Sequence, residues 1–78
     1  MKRVDLRHLK SEFLSELSNQ AKRLNDGEVC IFLFEPLEFD NIEKSVNLIR
    51  KESCELMNSL KFNQVDWTIV VKKIKGQI

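Results

Sequence analysis

Residues 28–35 read EVCIFLFE, six consecutive apolar side chains between two glutamates. β-Branched and aromatic types dominate the run. It predicts a strand covered on both faces, or covered on one face and used for contact on the other. This is the expected central strand. Which set faces a helical layer, Cys30, Phe32 and Phe34 or Val29, Ile31 and Leu33, is open at this point. The thinly covered set is expected to dock onto another subunit or a second copy of the chain.

Upstream, Asn25, Asp26 and Gly27 supply the tolerance of positive φ that lets a chain leave a helix and enter the strand. From Ser11, the residues Phe13, Leu14, Leu17, Ala21 and Leu24 recur at helical spacing, which predicts an amphipathic helix with Ser11 as its N-cap. Before it, Val4 and Leu6 alternate with Arg3, Asp5 and Arg7, the period-two pattern of a short strand. Downstream, Pro36 lacks a donor and ends the central pairing, and Asp40 with Glu43 reads as a capping box for a second helix. Ile42, Val46, Ile49, Ser53, Met57 and Leu60 form one stripe, so this helix is predicted to run to about Leu60 and to hold Cys54. Residues 65–74, VDWTIVVKKI, alternate Trp67, Ile69 and Val71 against Thr68, Val70 and Lys72 and predict the last strand. The expected fold is α/β, a two-layer sandwich of order β-α-β-α-β with two helices on one face of a small sheet.

A length of 78 residues predicts one domain, residues 1–78. Thirteen Lys and Arg against twelve Asp and Glu leave no broad field to attract nucleic acid or an anionic bilayer. The longest apolar run is too short to span a membrane, and MKRVDLRH at residues 1–8 lacks the apolar stretch of a secretion signal. A cytoplasmic protein is expected, with no direct membrane insertion. Two cysteines without Cys-x-x-Cys spacing, and a single histidine, are too few ligands for a zinc or iron–sulfur site. Cys30 and Cys54 read as small packing residues. His8 reads as an exposed or edge residue and gives Ser11 no oriented general base, so no catalytic constellation is expected. Phe39 and Phe62 read as local packing residues, and Lys72, Lys73 and Lys75 as a solubilising strand end.

Two resemblances follow from these segments. DLR at 5–7, NDGEV at 25–29, KESCELM at 51–57 and WTIVVKK at 67–73 resemble the bacterial sulfur-carrier family with the TusA-like fold. That family opens its first helix with Cys-Pro, where this sequence has Ser11 and Glu12, and a serine hydroxyl cannot carry a persulfide. A degenerate sulfur carrier, or a free-standing interaction module, is the alternative reading. DLRHLK at 5–10, EVCIFLFE, and MNSLKFNQVDWTIVVKK at 57–73 are more similar to the small E-like components of bacterial NADH:quinone oxidoreductase, respiratory complex I. SLKFNQVDWTIVV, residues 59–71, is the specific part.

The ordinary E component of that complex holds a two-iron cluster on four cysteines, and a protein with two cannot do so. The resemblance implies instead an accessory protein at the electron-input side of the complex, bound to other complex I subunits and peripheral to the membrane. It also implies flavin binding, as FAD or FMN. Trp67, the sole tryptophan, offers a flat apolar surface for stacking. A flavin phosphate would find backbone donors at the head of the first helix, at Ser11, with Arg7 and Lys10 adjacent. The only glycines are Gly27 and Gly76, which excludes a Gly-rich dinucleotide loop.

Overall fold

A computed structural model describes residues 1–74. It contains β1 (Lys2–Asp5), a 3₁₀ segment (Arg7–Glu12), α1 (Phe13–Lys22), β2 (Val29–Phe34), α2 (Phe39–Lys51), β3 (Cys54–Lys61) and β4 (Trp67–Lys73). The four strands form one sheet in the order β1-β2-β4-β3, with β1 parallel to β2 and β4 antiparallel to both its neighbours. The two helices pack as one layer against the sheet, giving the expected α/β two-layer sandwich.

Alternate residues of β2 divide as a pleated strand requires. Cys30, Phe32 and Phe34 are fully buried, whereas Val29, Ile31 and Leu33 are half-buried on the other face. The helical layer therefore covers the cysteine and phenylalanine set. Register places Val71, Ile69 and Trp67 beside Cys30, Phe32 and Phe34. Phe13 at the head of α1 stacks on Phe34 with ring centroids 4.4 Å apart, and Leu17, Ala21 and Ile49 complete the buried centre. Opposite, Val29, Ile31 and Leu33 share the open face with Thr68, Val70 and Lys72 of β4 and with Glu55, Asn58 and Leu60 of β3.

Four local expectations are corrected. The second helix stops at Lys51, and Cys54–Lys61 is a strand, so the order is β-α-β-α-β-β and Cys54 belongs to the sheet. Ser53 takes a left-handed φ of 60° just past the helix, its N–H donates to the Arg50 carbonyl, and the backbone turns into β3. β4 is apolar on alternate residues and needs a partner on its second edge. That pairing outweighs the helical spacing of Met57 and Leu60. Between Leu56 and Asn58 the register shifts at a β-bulge.

Ser11 is not the N-cap of α1. The helix is preceded by Glu12 without a side-chain cap bond, because the 3₁₀ segment runs directly into it and the Phe13 N–H donates to the Lys10 carbonyl. Asp40 and Glu43 likewise form no capping box: α2 begins after Glu38, which is extended, with no side-chain cap bond. Lys73 is not a solvated strand end. Its ammonium turns inward and donates to the carbonyls of Ala21 (3.0 Å) and Glu52 (2.9 Å), in the last turn of α1 and at the end of α2. Lys72 is exposed, and Lys75 lies outside the described residues.

Candidate functional site

At one end of the sheet, two connections face each other. After β2, Pro36 ends the pairing, and its carbonyl accepts from the Glu38 N–H (2.8 Å) and from Asn41 Nδ2 (2.6 Å). This pins a short loop in which Leu37 adopts a φ of 70°, a strained conformation for a residue with a branched side chain. Across from it, the β3–β4 hairpin is shaped by Asn63, whose Oδ1 accepts from the N–H groups of Val65 (2.8 Å) and Asp66 (2.7 Å).

Between loop and hairpin lies a cleft of about 370 Å³ with Leu37, Phe39, Ile42, Val65 and Trp67 as its apolar lining. Trp67 packs against the core and lines the cleft as well, and its indole N–H donates to Ser59 Oγ at 2.8 Å. Phe39 is 85% exposed, Val65 62% and Leu37 53%. Phe39 and Phe62 are therefore not the packing residues expected of them: Phe39 starts α2 on its solvent side, and Phe62 stands exposed at the end of β3. The volume and the apolar lining suit a planar aromatic ring, for which clefts of this size with a few polar groups are typical.

Charged groups frame the cleft. Arg7 clamps Asp5 (Nη2 to Oδ2, 2.7 Å) and reaches Asp66 (Nη1 to Oδ2, 3.4 Å). The hydrogen bonds from Arg7 hold the Asp5 carboxyl down at about 2. Asp66 is 6% exposed and also accepts from Asn63 Nδ2 at 2.8 Å. Lys10, at a φ of 51°, pairs with Glu35 at 3.2 Å. Asp66 and Glu35 both line the cleft, so Arg7 and Lys10 approach it through carboxylates that already occupy them. Ser11 is exposed in the 3₁₀ segment and lies outside the cleft lining. Of the four residues singled out in the sequence, Trp67 alone lines the cleft, Arg7 and Lys10 touch lining residues through Asp66 and Glu35, and Ser11 does neither. Sequence reading gave the lining residues Leu37, Val65 and Lys61 no role of their own: the β2–α2 loop brings Leu37 to the cleft, and the β3–β4 hairpin brings Lys61 and Val65 there.

Neither thiol is available for group transfer. Cys30 is fully buried and Cys54 nearly so, and burial pushes the Cys30 thiol up to about 11 and raises that of Cys54. Among the described residues no three His, Cys, Asp or Glu side chains converge as metal ligands, and no helix is long and apolar enough to cross a membrane. His8 is exposed.

A family profile for the E component of a "putative NADH-ubiquinone oxidoreductase" matches residues 1–73. Among solved structures, the chain is similar to the solution structure of HP1264 from Helicobacter pylori, with 49% sequence identity, a TM-score of 0.72, and coverage of 96% of this chain and 100% of that one. It shares its fold alone with a crystal structure of an M1.HpyAVI–SAM complex, at 9% identity and a TM-score of 0.65, over 96% of this chain and 43% of the other. No curated protein matches the chain.

Proposed function

We propose, from the premise that the chain belongs to the family of NADH-ubiquinone oxidoreductase E components, that it is an accessory subunit at the electron-input side of an NADH:quinone oxidoreductase and holds a flavin ring in the Trp67 cleft. The observation that carries the cofactor part is the placing of the only tryptophan on the wall of an apolar cleft of ring-accepting size. When bound, a flavin supplies one- and two-electron transfer. The protein's own part is to seat the ring against Trp67 and shield it with Leu37, Phe39 and Val65.

Docking to other subunits uses the open sheet face, where Val29, Ile31, Leu33 and Val70 stand half-buried without a covering layer. The protein would be peripheral, on the cytoplasmic side. The test is purification of the tagged full chain from native membranes, followed by identification of its companions and an absorbance spectrum of the eluate. Oxidoreductase subunits together with a flavin band are expected. Ile31→Glu is expected to lose the companions and keep the flavin, whereas Trp67→Ala is expected to do the reverse. An eluate of the protein alone, colourless, refutes both parts.

A further inference from the structure

We infer that Lys61 is the residue that anchors the anionic tail of the cleft's ligand, and that the cleft therefore distinguishes a phosphorylated flavin from riboflavin. This rests on the ring-binding reading of the cleft. Lys61 is the only cation among the residues that line it, and it stands there with Glu35, Glu38 and Asp66. A phosphate entering such a frame is repelled except where an unspent positive charge meets it.

The other nearby cations are spent. Arg7 is held by Asp5 at 2.7 Å and by Asp66 at 3.4 Å, and Lys10 by Glu35 at 3.2 Å. Freeing either for a ligand would expose a carboxylate to the same phosphate. Lys61 is exposed and, among the described residues, takes part in none of the ion pairs. Its place is fixed by the fold. It closes β3 and is the register partner of Trp67 across the β3–β4 pair, so both side chains leave the same face of the sheet as direct cross-strand neighbours. An ammonium on a flexible stem beside an aromatic wall can reach a charged group attached to a ring stacked there.

Equilibrium dialysis of the full chain against riboflavin and against FMN at low salt tests this in the wild type, Lys61→Met and Lys10→Met. For one charge-assisted contact to phosphate, FMN is expected to bind the wild type about tenfold more tightly than riboflavin. Lys61→Met should bring the two ligands to within about twofold, while Lys10→Met should preserve the preference. A preference that survives Lys61→Met, one lost in Lys10→Met, or equal wild-type affinities would overturn the assignment while the ring reading stands. Failure of both flavins to bind the wild type would remove the ring reading and this assignment together. Because Lys61 is exposed, thermal unfolding of Lys61→Met should match the wild type and separate loss of recognition from loss of fold.

Discussion

Lys73 does with one ammonium what helix ends normally need two groups to do. Helix C-termini leave carbonyls without intrahelical donors and carry partial negative charge, so a cation that donates to both ends satisfies hydrogen bonding and the two helix dipoles together. Its bonds to Ala21 and Glu52 also tie β4 to the ends of both helices. Lys73→Met keeps the aliphatic stem and removes the donor. It is expected to cost about 2 kcal/mol, lowering Tm by roughly 10 °C. Circular dichroism melts would show this, and an unchanged Tm would reduce Lys73 to a packing residue. The thiols give a second prediction. With Cys30 raised to about 11 from an ordinary 9.0, its stabilising preference for the neutral thiol is complete below pH 9 and is lost as pH climbs through 11. Stability should fall over that window, and Cys30→Ala should flatten the fall. At pH 8 a thiol reagent should find neither cysteine until the protein unfolds.

Leu37 stores backbone strain in a connection that faces the cleft. Leu37→Gly removes the clash of a left-handed Cβ and is expected to stabilise the fold by up to about 1 kcal/mol, measured by chemical denaturation. The same change deletes apolar wall, so flavin affinity should drop as stability rises. A fall in both would mean that Leu37 packs for the fold and not for a ligand. At this level sequence reading succeeded where one periodicity stood alone. β2 and β4 were recoverable from their apolar runs, and α1 from Phe13, Leu17 and Ala21. It failed at β3, because Ser53, Met57 and Leu60 continue the spacing of Ile49 by coincidence and the strand exists through its pairing with β4. That single error hid the site. Without β3 there is no hairpin, and Lys61 has no reason to stand beside Trp67. Trp67 stands out in the sequence as the only tryptophan, and it lines the cleft. Arg7 is taken up first by Asp5, two residues away, but its link to Asp66 and the pairing of Lys10 with Glu35 join residues distant in the sequence and invisible to local pattern.

Taken as one body, the molecule separates two surfaces. The cleft occupies an end of the sheet, between the β2–α2 loop and the hairpin, while the open face presents Val29, Ile31, Leu33 and Val70. A ligand bound at the first would leave the second free for a partner. The bulge between Leu56 and Asn58 bears on how such a partner can approach. A straight outer strand is a template on which further copies can add, one after another, through main-chain bonds. Here the kinked strand on one flank and the four-residue strand on the other offer a poor template of that kind, and the broad side of the sheet is left as the apolar surface a partner would use. Association through the broad side, unlike edge pairing, would close after one event, so the fold carries the features that disfavour stacking into fibres.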